Sequence, residues 1–269
     1  MPRIIVFDSG LGGLSVLKEI RAARPDAAIT YIADTARFPY GDLAEAEVIA
    51  RGLAIFDRLA AERTPDLAVI ACNTASTLVL PPLRAAFDFP FVGTVPAIKP
   101  AAARTTSGLV SVLATPGTVK RDYTRALIDT YAFHVDVTLV GATRLASLAE
   151  AAMRGEEIPD EAFRAEIAPA FVRRGSKRTD TVVLACTHYP LVLDRLERVA
   201  PWPLDWIDPA PAIARRAASL LEGVLPGPAA GTGEAMFTAL PADVASLKQL
   251  LSGFGLAPPA LLEIDVQAA

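Results

Sequence analysis

Asp66-Leu67-Ala68-Val69-Ile70-Ala71-Cys72 and Asp180-Thr181-Val182-Val183-Leu184-Ala185-Cys186 repeat one pattern: an aspartate, a run of small and β-branched apolar residues, and a cysteine. An apolar run of this length with no polar alternation fits a strand buried on both faces of a parallel sheet. The echo extends beyond the two runs. Pro96-Ala97-Ile98 follows the first cysteine, and Pro211-Ala212-Ile213 follows the second, at nearly equal distances. Upstream, Val6-Phe7-Asp8-Ser9-Gly10 and Leu113-Ala114-Thr115-Pro116-Gly117 each lead a strand into a loop of small residues. Three features in the same order point to two similar halves.

The rest of the chain agrees. Further strands are expected at Arg3–Phe7, Ala28–Ile32, Phe91–Val95, Leu109–Ala114, Asp136–Val140 and Leu204–Ile207. Amphipathic helices are expected at Gly13–Ala23, Ala44–Ala61, Arg121–Tyr131 and Leu191–Val199. Strands alternating with helices give an α/β fold class: two pseudo-symmetric three-layer α/β domains with mainly parallel sheets. Ligands of such sheets bind beyond the carboxyl ends of the strands, so the active site is expected in the cleft between the domains. The first domain is expected to hold residues 1–95 and the second 96–208. A C-terminal return, 209–269, rejoins the first through a strand at Ala235–Leu240 and a helix ending at Gly253. The run Gly223–Gly233, rich in Gly and Pro, reads as a mobile surface loop.

With 52% apolar residues among 269, the chain can bury a large helix-covered core. Its net charge of −4 argues against a nucleic-acid partner held by a general basic surface. The run from Met1 to Phe7 is too short for a signal segment and reads as a buried strand. The long uncharged stretch from Leu67 to Leu83 is interrupted by Asn73, Thr74, Ser76 and Thr77, which argues against a membrane span. The expectation is a cytoplasmic protein whose two cysteines are thiols rather than a disulfide.

A single buried cysteine is commonly a small hydrophobe and nothing more. Two at matching turns suggest chemistry. Inverting a stereocentre by proton transfer needs a base on one face of a carbon and an acid on the other, with the roles exchanged in reverse. Thiols suit both roles because their ordinary pKa, about 8.5, lies close enough to neutrality to be tuned. Each cysteine opens a polar turn, Cys72-Asn73-Thr74-Ala75-Ser76 or Cys186-Thr187-His188-Tyr189-Pro190, whose backbone N–H groups would bind a carboxylate. Asp8 is a candidate acid/base helper or a helix cap. His188 is placed to polarise Cys186, His134 reads as surface, and Glu150 reads as part of a solvated helix face.

Four blocks carry a family resemblance: Phe7-Asp8-Ser9-Gly10 with Gly12-Gly13; Asp34-Thr35-Ala36-Arg37 with Pro39-Tyr40-Gly41; Ala71-Cys72-Asn73-Thr74-Ala75-Ser76; and Cys186-Thr187-His188-Tyr189-Pro190. In this order they resemble the glutamate racemase family of the aspartate/glutamate racemase superfamily. The resemblance implies interconversion of L- and D-glutamate with no cofactor and no metal, supply of D-glutamate for peptidoglycan, and a homodimer. It implies that Cys72 takes the proton of D-glutamate and Cys186 that of L-glutamate. Asp8, His188 and Glu150 would be their helpers. Asp8, Ser9, Tyr40, Gly41, Asn73, Thr74, Thr187 and His188 would hold the substrate, with Thr115 and Thr118 nearby. The stretch from Val140 to Glu150 lacks the Cys-Pro element common in the family, and Ala185 stands where many members have glycine.

Rival readings meet specific obstacles. An aspartate racemase would share the thiol chemistry and differ only in its carboxylate pocket. A phosphotransferase using Asp8 would want a second aspartate where Gly10 stands. A dinucleotide site built on Gly10-Leu11-Gly12 would want glycine at Ser15. A pyridoxal enzyme would want a phosphate cup near Lys99. A non-catalytic two-domain binding protein would leave the paired thiols unexplained.

Overall fold

The apolar run after Pro2 becomes β1 (Arg3–Asp8), buried at every residue after Arg3. The computed structural model describes residues 1–61, 64–229 and 231–264. Position 230, inside the expected mobile loop, and positions 265–269 of the C-terminal return lie outside the described residues. From β1 the chain continues through α1 (Leu14–Ala23), β2 (Ala28–Ala33), α2 (Glu45–Ala60), β3 (Leu67–Ile70), α3 (Asn73–Ala86) and β4 (Phe91–Gly93). Two prolines, Pro81 and Pro82, lie inside α3 rather than ending it.

Next come α4 (Ile98–Arg104), β5 (Leu109–Ala114), α5 (Pro116–Val119), α6 (Asp122–Tyr131), β6 (Asp136–Gly141), α7 (Leu145–Met153) and α8 (Asp160–Ile167). A short antiparallel hairpin, β7 (Arg173–Arg174) and β8 (Lys177–Arg178), precedes β9 (Thr181–Ala185), α9 (Leu193–Val199) and β10 (Asp205–Ile207). The chain ends with α10 (Ala210–Leu220), β11 (Glu234–Phe237), α11 (Val244–Gly253) and β12 (Ala260–Leu261). Two compact units result, Met1–Thr94 with Ala210–Ala269, and Val95–Pro209.

The first unit holds a six-stranded sheet in the order β12-β11-β2-β1-β3-β4, with every pairing parallel. Ile5, Phe7, Ala68 and Ile70 on one face pack with Val48, Ile55 and Phe56 of α2 and with Ala75, Val79 and Leu83 of α3. The intervening residues Ile4, Val6, Leu67 and Val69 are buried as well; α1 packs against α10, which also reaches β3 and β4. The second unit holds a four-stranded parallel sheet, β10-β9-β5-β6. Val110, Val112, Val183 and Ala185 pack on Ile98, Ala101 and Ala102 of α4 and on Leu127 and Ile128 of α6.

Both sheets contain the same arrangement. In each unit the first strand lies between the second and the third, and the fourth flanks the third: β2-β1-β3-β4 and β6-β5-β9-β10. The echoing aspartates do equivalent work in it. Asp66 Oδ2 accepts the Arg3 N–H at the start of β1 at 2.7 Å. Asp180 Oδ2 accepts the N–H groups of Thr106 at 2.8 Å and Ser107 at 2.7 Å, just before β5. Each carboxylate thus ties the start of the third strand to the first, and each cysteine follows the other end of that strand. No helix among the described residues is long and apolar enough to cross a membrane.

Candidate active site

In the first unit, Cys72 immediately precedes α3 and is 6% exposed. The first N–H groups of a helix have no partners within it, so this position favours an anion. Asp8 ends β1 and is fully buried. Its Oδ1 accepts the Ser9 N–H at 2.6 Å and the Ser9 hydroxyl at 3.3 Å, and Ser9 Oγ lies 3.6 Å from Cys72 Sγ. Asp8 Oδ2 accepts the Gly13 N–H. Only glycine fits at this entry to α1: a Cβ on Gly13 would stand 2.9 Å from the Asp8 Cβ and 3.1 Å from that of Ala71. Asp8, Ser9 and Cys72 therefore form one hydrogen-bonded chain at the ends of β1 and β3.

Asn73 and Thr74, the first residues of α3, are each 3% exposed. Both the amide oxygen and the amide nitrogen of Asn73 are buried without a hydrogen-bond partner among the described residues. Leaving buried polar atoms unmet costs about 1–3 kcal/mol each, so such a group requires an explanation. An amino-acid zwitterion supplies both complements, an ammonium for the oxygen and a carboxylate for the nitrogen. Tyr40 and Gly41 lie in a one-turn helix, Tyr40–Asp42. The Tyr40 hydroxyl donates to Asp34 Oδ2 at 2.6 Å, so the part of this loop left to offer an anion is its backbone.

The second unit builds a different set of partners. Cys186 follows β9 and is 7% exposed. Its Sγ lies 3.8 Å from His188 Nδ1, and His188 Nε2 lies 2.6 Å from Glu150 Oε2. Glu150 belongs to α7 and is 2% exposed, so the expected solvated face is corrected: α7 packs against the turn Tyr189–Val192, and this buries the carboxylate. Arg154 donates to the other Glu150 oxygen at 2.8 Å, four residues along. Thr187 is buried, and Thr115, which follows β5, shares a hydroxyl contact of 3.1 Å with buried Thr118. His134 is exposed.

Burial alone would push the His188 imidazole down. The hydrogen bonds and negative charge of Cys186 and Glu150 outweigh it and hold the ring well above its ordinary value of 6.5. For a group with a raised folded-state pKa, the stabilisation is whole below the ordinary value and is lost as the pH climbs through the folded value. Replacing Glu150 by glutamine removes one raising influence and leaves burial in place. The His188 ring is then expected to titrate at distinctly lower pH by NMR, a simple reading in a chain with two histidines. An unmoved titration would detach Glu150 from the imidazole.

Sequence reasoning missed Arg154, although its spacing from Glu150 was a readable signal. It quoted Asp34 in a motif block without assigning it a role and missed Arg51, whose pairing with Asp34 depends on the fold. Among the described residues there is no cluster of three or more His, Cys, Asp or Glu able to hold a metal.

A family model described as Asp/Glu/hydantoin racemase matches residues 14–217. A glutamate racemase of Sinorhizobium medicae is 56% identical over 257 residues, covering 94% of this chain and 94% of that protein. One from Brucella ovis is 55% identical over 262 residues, covering 94% and 92%. A crystal structure of Escherichia coli glutamate racemase, in complex with L-glutamate and the activator UDP-MurNAc-ala, superposes with a TM-score of 0.90 at 42% identity, covering 98% of this chain and 99% of that one.

Proposed function

The chain belongs to the Asp/Glu/hydantoin racemase family, among its glutamate racemases, and interconverts L- and D-glutamate; we propose that it does so with Cys72 and Cys186 as paired acid/base catalysts, without cofactor or metal. One observation carries this reading: each of the chain's two thiols follows the equivalent strand of its own unit and has its own polar partner.

With L-glutamate bound, the Cys186 thiolate takes the α-proton and a sulfur–hydrogen bond forms there. The electron pair stays on the α-carbon, and the Cys72 thiol delivers its proton to the opposite face. The reverse reaction exchanges the roles. His188 Nδ1 takes up the Cys186 proton beforehand, and Glu150 at Nε2 stabilises the resulting imidazolium, as a carboxylate orients a working histidine elsewhere. Asp8, through Ser9, plays the corresponding part at Cys72. Asn73, Thr74, Thr187 and the backbone of Tyr40 and Gly41 hold the substrate's charged groups, with Thr115 and Thr118 nearby. The two thiols have to address opposite faces of one α-carbon, and a duplicated architecture provides one thiol from each of two similar units.

The two motif blocks Pro39-Tyr40-Gly41 and Cys186-Thr187-His188-Tyr189-Pro190 favour glutamate over aspartate. A homodimer and the supply of D-glutamate for peptidoglycan rest on the family resemblance alone. The test is incubation of purified protein with L-glutamate in D₂O, without added cofactor, followed by circular dichroism and α-deuterium incorporation. Loss of optical activity with one deuteron per inversion is expected, and aspartate in parallel should respond weakly. Inversion without deuterium, or none at all, would overturn the two-base reading.

A further inference from the structure

α7 turns Glu150 inward and ends at Met153, with Arg154 as its cap. Gly155, at a φ of 87°, stops the helix there, and the N–H groups of Gly155 and Glu156 turn back to the carbonyls of Ala152 and Ala151. Residues one turn apart share a helix face, so Arg154 stands over Glu150 and its Nη2 donates to Glu150 Oε1 at 2.8 Å. The other oxygen, Oε2, meets His188 Nε2 at 2.6 Å, and His188 Nδ1 lies 3.8 Å from Cys186 Sγ. A line of contacts thus runs from a guanidinium that is 36% exposed to a buried thiol. The short contact between Glu150 and His188 carries one proton. It rests on nitrogen, giving an imidazolium and a carboxylate, or on oxygen, giving two neutral groups. Both side chains are buried, and burial by itself favours the neutral arrangement. Arg154 acts against it, because a guanidinium favours the ionised form of the carboxylate it touches. It also repels the imidazolium, but from one carboxyl group farther away, so its effect on Glu150 is the larger.

We propose that Arg154 is a positioning residue for the proton between Glu150 and His188, holding Glu150 as the carboxylate so that the proton stays on Nε2 and a full imidazolium faces Cys186. The proposal rests on Cys186 being one of the two bases. With the proton on Nε2, a thiolate at Cys186 meets a positive charge at Nδ1. With the proton on Glu150, the same thiolate meets a neutral ring and is less well sustained. The other charged or titratable groups on the elements packed here do not replace Arg154. Glu166 of α8 accepts the Arg144 N–H at the start of α7 at 2.9 Å. Asp160 is paired with Arg198 of α9, and Glu161 with Arg164. Tyr189, in the turn after His188, is buried, and burial holds its phenol well above its ordinary value, so it brings no charge.

The test is Arg154→Met, which keeps an apolar stem and removes the charge, in isotope-labelled protein read by nitrogen NMR. The chain has two histidines, and replacing exposed His134 by glutamine identifies the ring signals of His188. Near neutral pH both His188 ring nitrogens are expected to be protonated in the native chain. In Arg154→Met, Nε2 should move toward the position of an unprotonated nitrogen while Nδ1 stays protonated. kcat/KM should fall by about fivefold near neutral pH, no more because the guanidinium is partly solvated, and recover as the pH rises, while KM stays within about twofold. Arg154→Lys keeps a positive charge one turn from Glu150 and should lie nearer the native chain than the methionine variant. The melting temperature should change little in either, because a partly exposed ion pair contributes little to stability. Native nitrogen signals and a native pH profile in Arg154→Met would reduce the contact to a surface ion pair and overturn the proposal. Coincidence of the lysine and methionine variants would overturn it too, since charge would then not be what acts. Cys186→Ser separates the two readings. If it retains racemisation, the two-base reading falls, whereas if it is inactive and Arg154→Met matches the native chain in both measurements, only the role of Arg154 falls.

Discussion

Serine at position 186 is expected to lower kcat/KM by about a thousandfold or more with both L- and D-glutamate, in line with the 10²–10⁴ contributed by a positioned acid or base. The symmetry of the loss is forced. Enantiomers have equal free energy in water, so kcat/KM must be the same in the two directions for any variant. Each turnover also uses one thiol as base and the other as acid, so neither direction bypasses the altered side. A hydroxyl holds its proton far more tightly than a thiol, and the His188–Glu150 pair that serves a thiol near neutrality cannot ionise it to a useful extent. Cys72→Ser should behave alike, since Asp8 and Ser9 face the same difficulty there.

Racemisation by each variant is read by circular dichroism from both enantiomers, with thermal unfolding as the control. Both side chains are small and nearly isosteric with their replacements, and the melting temperature should change little. Retention of more than about a tenth of the native rate in either variant would mean that its thiol is not one of the two bases.

Burial patterns explain why the sheets were legible from sequence. β3 and β9 are buried at every residue, so their composition is continuously apolar and their identity follows from composition alone. The cysteine pair was legible because duplication placed the same run before each. Glu150 was not. Its burial comes from a contact between α7 and a turn nearly forty residues later, and no local pattern records that, although a lone carboxylate in the apolar run Leu145–Met153 was a hint. The hairpin of Arg173–Arg174 and Lys177–Arg178 escaped for the opposite reason. Its strands are charged and exposed, and the turn depends on Gly175 at a φ of 60°. Thus elements defined by what they bury were readable, and those defined by a distant partner were not.

Asp34 is the clearest case of a distant partner, and it carries the largest stability effect expected in the molecule. It lies just past β2 with no exposure, and Arg51 of α2 grips it with two nitrogens, Nε to Oδ2 at 2.9 Å and Nη2 to Oδ1. Tyr40 donates to Oδ2, and Thr238, just past β11, donates to Oδ1 at 2.6 Å. One carboxylate therefore ties together α2, the Tyr40 loop and the C-terminal return. Breaking a buried pair leaves an uncompensated charge, which typically costs about 3–5 kcal/mol, whereas replacing both partners by apolar groups is far milder. Arg51→Met is accordingly expected to destabilise the protein by about 3–5 kcal/mol in urea unfolding, and Arg51→Met with Asp34→Leu by much less than the sum of the single changes. In the surviving folded fraction of Arg51→Met, KM for glutamate should rise more than kcat falls, because the Tyr40 loop positions substrate and takes no proton. An additive double variant would show that Asp34 and Arg51 stabilise the fold independently. Unchanged KM in folded Arg51→Met would separate this network from substrate binding.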